Sequence, residues 1–433
     1  MTKYKFGTAV RDITPNEPVM LHGYSARNHA SDGVSEPIRL SALAMDDGKT
    51  RMIIIAVDMA GIHTTEIDEL CKAIEAETGV GYPNILIAAS HTHFSPQIST
   101  SHFTTPEIGF FTPEQTMKTR VINAAVGATR ESLANLVEGV AEIVKIPVPG
   151  VAFNRRTVRP DGGVDTNFRF PEHPNDYTFS PIDDELIAVR FRSDSGTGAV
   201  LINYGCHPVT GGYDSDYYRV SADYVHYLRS TIEDDWGMPV LFTLGAAGDV
   251  VPRDRYAESR KRIGEVLGGT VVLANRMFEA IDGPFDVGAT TVAVETILKY
   301  DGAAADSLYE SERAKGLSSE TTDTFSDALL GKFRSDLYPD NSFAVPLQFM
   351  RIGSVKIAAL PFEVLSEFSI RMKREIEGSM LISCAGGYQG YLPFEYEYAR
   401  GGYEASERST HFTPGTADLL YEKVIQAIGN LGS

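Results

Sequence analysis

The chain has 433 residues, 43% hydrophobic and 22% charged, a usage that excludes disorder as its main state and suffices to bury a full core. With 39 Lys and Arg against 58 Asp and Glu the net charge is −19, which argues against broad binding to nucleic acid or an anionic membrane. Three scattered cysteines, Cys71, Cys206 and Cys384, form neither a disulfide framework nor a CxxC zinc site. No apolar run reaches about 18 residues and the start MTKYKFGTAVRDITP shows no export signal, so a cytoplasmic protein is expected.

In chain order, RMIIIAV (51–57) reads as a buried strand. A helix follows from Thr64 or Thr65, with Ile67, Leu70, Cys71 and Ile74 at i, i+3, i+4, i+7 and Gly79 as its stop. NILIAAS (84–90) is the next strand. Thr112-Pro113-Glu114-Gln115 opens a second helix with the stripe Met117, Val121, Ala125, Ala128. Further strands are expected at 185–191, 199–205, 240–244 and 355–360. A long helix is predicted over about 256–281, on Ile263, Val266, Leu267, Ala274 and Met277; Gly268-Gly269 marks a break or a close contact in it. A last helix starts at Thr413-Pro414 and carries Leu420, Val424 and Ile428. Segments 96–111 and 153–180 read as long lid or binding loops, and 301–340 as a polar surface insertion. The alternation implies an α/β fold, a central mixed sheet flanked by helices, in one unit spanning 1–433.

Polar chemistry collects at the ends of apolar strands, where α/β folds place their sites. ILIAAS runs into His91-Thr92-His93, and residues i and i+2 of extended chain share a face, so both imidazoles can reach one metal or substrate. Two exposed loop histidines would look the same. LINYGC runs into His207-Pro208, whose proline holds the histidine extended, and Cys206 is read as a core residue. LFTLGAAGDVVPR has small residues that let backbone approach a ligand, or simply make a tight turn. IAALPFE delivers Glu363, and two histidines with a glutamate make a zinc shell that leaves room for water. A tyrosine-rich run over 387–404 either lines a cleft or packs as a surface loop.

In this order the landmarks resemble the catalytic domain of the neutral/alkaline non-lysosomal ceramidases, which are zinc amidohydrolases. GTAVRDITP with His22-Gly23-Tyr24, SHTH, Asn154-Arg155, CHPVT, GAAGDVVP, LPFEVLSEF and GYLPFEYEYARGGYE each look like a family segment. The resemblance implies zinc ligands at His91, His207, Glu363 and Tyr398, the last standing five residues before Tyr403-Glu404, with Tyr396 as the fallback. It places His93 beside the metal as a non-ligand and Arg155 near the scissile group. Two positions depart from the family: Val251 stands where the family has a serine, and Arg253 where it has an asparagine. The family's C-terminal β-domain is not expected within 1–433.

The resulting expectation is a zinc-dependent hydrolase cleaving an amide or ester bond of a small polar N-acyl substrate, not necessarily ceramide. His93 would shuttle the proton, Arg155 would stabilise the oxyanion, and Asp249 would orient a ligand histidine, bind substrate, or merely cap a turn. Asn154, Tyr391 and Tyr403 are expected at the substrate, and Phe103, Phe110 and Phe111 are candidates for an apolar groove. Fe²⁺ or Mn²⁺ suits the same ligands, with softness favouring zinc. The partner expected is a small molecule, with no nucleic acid and no membrane, and a homo-oligomer stays open. The competing readings are a metal-dependent lyase or isomerase acting on sugars, and a non-catalytic metal- or ligand-binding relative.

Overall fold

The computed structural model describes residues 2–24, 26–99, 114–212, 214–297, 302–316 and 323–431. Among the described residues nine strands form one large mixed sheet: β1 (Tyr4–Asp12), β2 (Arg39–Asp46), β3 (Arg51–Val57), β4 (Ile85–Ala89), β5 (Val137–Pro147), β6 (Glu185–Ser193), β7 (Gly198–Tyr204), β8 (Val240–Leu244) and β9 (Glu279–Ile281). The order is β8-β7-β6-β5-β1-β2-β3-β4, with β9 also paired to β5. Pairs β3/β4 and β7/β8 are parallel and the others antiparallel. A second sheet joins β10 (Phe285–Glu295), β11 (Ser342–Ile352), β12 (Val355–Ala359) and β13 (Ser379–Ile382), with β12/β13 parallel.

The two sheets stack, because successive side chains of a strand face opposite sides. Ile85, Ile87 and Ala89 face a core shared with α1 (Thr64–Thr78), α2 (Gln115–Ala134), α3 (Tyr224–Trp236) and α4 (Ser259–Leu273). Leu86 and Ala88 face the other way, onto Met350, Ile357 and Ile382 of the second sheet. That sheet buries its far side, through Leu347 and Phe349, against α5 (Ser366–Glu375) and α6 (Thr416–Gly429). Every residue of β4, β7 and β8 is therefore buried, as their unbroken apolar runs require.

Edge strands β4 and β8 are bridged by the segment that follows β13. Ser383 N–H donates to Leu244 O at 2.8 Å, Ala89 N–H to Cys384 O at 3.0 Å and Gly386 N–H to Ile87 O at 2.9 Å. The C-terminal ends of strands from both sheets are thereby gathered at one place.

Several sequence expectations need correction. The long helix over 256–281 stops at Leu273, and 279–281 instead joins the large sheet beside β5. Met277, expected on its apolar face, is 62% exposed. Gly268 does mark a close contact: a Cβ there would stand 2.7 Å from Leu228 O. Segment 153–180 holds the short strands Arg156–Val158, Val164–Thr166 and Thr178–Phe179 rather than a bare loop. The polar insertion contains the helices Gly302–Ala314 and Asp323–Leu337, and its end carries the buried Tyr338 to the cavity described below. Gly79 caps α1 at φ 72°, as expected. Thr112, Pro113, Phe103, Phe110 and Phe111 lie outside the described residues.

Candidate active site

His91 follows β4 and adopts φ 66°, a left-handed conformation that costs a non-glycine residue of order 1 kcal/mol or more. The turn is held by Ser90 N–H on Val57 O and His91 N–H on Met59 O, 2.9 and 2.8 Å. It aims the ring inward, where Nδ1–H donates to Ala60 O. His207, beyond β7, donates Nδ1–H to Val250 O at 3.0 Å. In both rings the backbone carbonyl fixes the tautomer, and Nε2 is left to face the centre. Glu363, beyond β12, places Oε2 2.9 Å from His207 Nε2 and 3.2 Å from His91 Nε2.

With both Nδ1 protons committed, three lone-pair atoms meet inside the protein. They are held together only if a positive charge sits among them. Burial alone would lower the His91 pKa and raise that of Glu363. Their attraction overrides burial in both, raising His91 well above and holding Glu363 well below the ordinary value. A proton on His91 satisfies that demand, and so does a metal ion. A tetrahedral shell with bonds of roughly 2.0–2.1 Å spaces its ligand atoms by about 3.3 Å, close to the separations here, so the residues fit a small divalent ion.

His93 joins this group. Its Nε2 stands 3.3 Å from His91 Nε2, and ligating atoms of His91, His93 and His207 all lie within 4.8 Å of one another, so these three histidines can hold a metal ion. Among the described residues its Nδ1 is buried without a hydrogen-bond partner. Burial, then the neighbouring His91 and His207, push its pKa well below the ordinary value and keep the ring neutral. Gly23 passes against this ring so closely that a Cβ would fall 2.5 Å from His93 Cγ, and at φ 106° glycine alone is at ease there.

Tyrosines and arginines build the opposite wall. Tyr388 donates to Glu363 Oε1 at 2.6 Å. Tyr391 accepts from Arg155 Nη2 at 2.9 Å, and burial together with the nearby Glu363 charge raises the pKa of its hydroxyl well above the ordinary value. Arg155 Nε donates to Glu404 at 2.6 Å, and Arg156 bridges Glu404 and Glu397 at 2.9 and 2.5 Å. Burial alone would raise the Glu404 carboxyl, but the two guanidiniums outweigh it and hold it below the usual range. A cavity of about 360 Å³ opens over this cluster; His22, His63, Tyr24, Phe168, Gln389 and Tyr403 are among the residues lining it.

The expected residues fall into two sets. His91, His93, Arg155, Glu363, Tyr391 and Tyr403 line the cavity, and His207 lies just beneath. Tyr398, Asp249 and Asn154 are not brought to it. Tyr398 sits on the short helix Glu395–Arg400 with its hydroxyl donating to Phe412 O at 3.0 Å; the fallback Tyr396 is 42% exposed and bonded to Glu367. Asp249 accepts from Ser366 N–H and Oγ–H, both 2.8 Å, and from Asn154 Nδ2 at 2.7 Å, so it orients no histidine. Asn154 is used up in this same knot, accepting from Arg156 N–H. Val251 is buried against Phe153 and Val209, within an apolar cluster. Sequence reasoning had Tyr388 only as one member of the tyrosine-rich run, and missed His63 and the role of Glu404.

A family model described as neutral/alkaline non-lysosomal ceramidase, N-terminal, matches residues 4–238. The fold is similar to that of neutral ceramidase from Pseudomonas aeruginosa, with a TM-score of 0.76 at 18% identity over 99% of this chain and 74% of that one. A ceramidase complexed with C2 gives 0.73 at 17% identity, over 99% and 75%. No curated protein sequence matches the chain. Identities this low establish the fold alone, but the family model spans more than half of the 433 residues. The chain therefore belongs to the neutral/alkaline non-lysosomal ceramidase family.

Proposed function

We propose that this protein is a metal-dependent hydrolase that cleaves the amide bond of a small, polar N-acyl substrate. The observation that supports it most is the meeting of His91 Nε2, His207 Nε2 and Glu363 Oε2 at the cavity floor with both Nδ1 protons committed elsewhere. These three residues would hold the ion, with Tyr391 rather than Tyr398 as the fourth ligand, because Tyr391 lines the same cavity as Glu363 whereas the Tyr398 hydroxyl is turned to Phe412 O. A divalent ion there, zinc by the softness of its ligands, would supply Lewis acidity and bring the pKa of water from 15.7 toward roughly 7.

The chain's own groups supply the rest. His93, kept neutral by burial, accepts the proton of the attacking water and passes it to the leaving amine. Arg155, clamped by Glu404 and Tyr391, presents a fixed positive charge at the wall where the carbonyl oxygen becomes negative. Tyr403 and Phe168 flank its guanidinium, at 5.8 and 5.2 Å, and bound the substrate. The buried Val251 offers no nucleophile, so the reaction proceeds without a serine ester at that position. A cavity of about 360 Å³ is at the low end of ligand sites, roughly 300–1,000 Å³, and favours a short acyl group. Among the described residues no helix is long and apolar enough to cross a membrane.

The test is metal per chain, by mass spectrometry on protein purified without added metal, together with amine release from a panel of N-acyl amides. One zinc per chain, lost in His91→Ala/His207→Ala along with amine release, is expected. Absence of metal from the native protein, or metal unaffected by the double substitution, overturns the reading.

A further inference from the structure

Thr64, Tyr338 and Gln389 line the catalytic cavity from three places in the chain: the first turn of α1, the end of the polar insertion and the tyrosine-rich run. Their side chains are joined into one wall. The Tyr338 hydroxyl donates to Gln389 Oε1 at 2.5 Å, and Gln389 Nε2 donates to Thr64 Oγ1 at 3.0 Å. The Tyr338 hydroxyl also meets His411 Nδ1 at 3.1 Å. Tyr338 and Gln389 are 1% and 6% exposed. Phe343 and Phe412 back the Tyr338 ring, with centroids 5.5 and 5.9 Å away, so the wall is fixed from behind.

This wall has hydrogen-bonding capacity left over. A primary amide offers two N–H donors and two acceptor lone pairs, and a hydroxyl donates as well as accepts. Among the described residues the Gln389 amide uses one N–H and one lone pair, and the Thr64 hydroxyl accepts without donating. The wall is also uncharged. His63, next to Thr64 at the cavity, is kept neutral by burial, which pushes its pKa down to about 4. A charged group therefore finds no opposite charge among these side chains. An alkyl chain laid on them would cover their spare donors without replacing the water lost. A hydroxyl, which both donates and accepts, matches them.

The wall stands beside the proposed chemistry. Gln389 follows Tyr388, whose hydroxyl donates to Glu363 Oε1 at 2.6 Å, and precedes Gly390, whose carbonyl accepts from Glu363 N–H at 2.8 Å. Both neighbours of Gln389 are thus tied to the candidate metal-binding carboxylate.

We propose that Thr64, Tyr338 and Gln389 form a subsite for hydroxyl groups, and that the amide nitrogen released belongs to a polyhydroxylated amine of the amino-sugar type. Such a ring carries hydroxyls on the carbons beside its amide, close to the bond broken. The water oxygen joins the acyl carbon, the C–N bond breaks, and the amino sugar leaves with the proton carried by His93. The bond broken rests on the hydrolase reading; the subsite is measured by binding, without turnover.

N-acetylglucosamine, N-acetylgalactosamine and N-acetylmannosamine are compared with N-cyclohexylacetamide, which has the same amide on a six-membered ring without hydroxyls. Affinities are measured by calorimetry on the protein as purified, and amine release is followed separately. At least one sugar should bind about tenfold tighter than the cyclohexyl compound. Gln389→Leu should bring that ratio close to one. Its affinity for N-cyclohexylacetamide should be unchanged or tighter, which reports an intact cavity. Thr64→Val, which keeps the shape and loses the hydroxyl, should lower the preference by about threefold and is the variant to use where Gln389→Leu does not fold. Absence of a preference for any of the sugars in the native protein overturns the proposal, and so does a preference that neither substitution lowers. A preference that follows Gln389 and Thr64 without any amine release supports the subsite and counts against the hydrolase reading. Equal affinities with release of cyclohexylamine overturn the subsite and leave the hydrolase reading standing.

Discussion

Replacing Glu404 by Gln tests whether the arginine wall is held by charge. Glu404 is fully buried and its two oxygens receive Arg155 Nε at 2.6 Å and Arg156 Nη1 at 2.9 Å. Glutamine keeps the shape and one acceptor oxygen but removes the charge that compensates two buried guanidiniums. Arg156 retains Glu397, whereas Arg155 retains the neutral Tyr391 hydroxyl. Removing one member of a buried pair costs about 3–5 kcal/mol, and the surviving acceptor puts this case near the lower end, about 3 kcal/mol. Unfolding entropy for 433 residues is about 0.9 kcal/mol/K, so the melting temperature should fall by about 3 °C. Urea unfolding of native and variant protein measures the loss directly. Glu397→Gln serves as the comparison: it leaves Arg156 its bond to Glu404 and should cost about half as much. A loss below about 1 kcal/mol for Glu404→Gln would show that the two guanidiniums do not depend on this carboxylate, and would remove the clamped Arg155 from the proposed mechanism.

Tyr391→Phe should lower the metal content of the purified protein, whereas Tyr398→Phe should leave it unchanged and cost about 1 kcal/mol for its bond to Phe412 O; equal effects on metal would refute the exchange of ligands. Gly268→Ala should destabilise by about 1–3 kcal/mol, since its Cβ would stand 2.7 Å from Leu228 O and 2.8 Å from Thr231 Cβ. Its neighbour Gly269 meets nothing within 4 Å, so Gly269→Ala should stabilise by about 0.5–1 kcal/mol, and urea midpoints that move the same way for both would contradict the packing of α4 on α3. Burial pushes the His63 pKa down to about 4, so between that value and the ordinary 6.5 the unfolded chain binds the extra proton. Stability should therefore fall as pH drops from 6.5 towards 4, with His63 contributing at most about 3 kcal/mol of the fall. His63→Gln should flatten the dependence of the urea midpoint between pH 5 and 7; an unchanged slope would show that the ring is protonated freely in the folded protein.

The sequence by itself determined the elements whose signal is local. Unbroken apolar runs gave the strands Arg51–Val57, Ile85–Ala89 and Val240–Leu244 because both sheet faces are covered, and the i, i+3, i+4, i+7 stripe gave α1, with Gly79 closing it. The strand tips then exposed His91, His93, His207 and Glu363, since a polar residue directly after a buried strand has few places to go but a site. What only the tertiary structure decided depends on partners far away in the chain. The periodicity of α4 continues past Leu273, yet the chain leaves the helix because 279–281 finds open backbone groups along β5. Within the tyrosine-rich run, Gly386, Gly387 and Gly390 take φ of 68°, 151° and 75°, and each such turn redirects the residues after it. Counting spacings along the run therefore selects Tyr398, while the folded backbone turns Tyr388 to Glu363 and brings Tyr391 to the wall of the same cavity. Arg155 likewise finds its carboxylate 249 positions away, a pairing with no trace in the residues around either one.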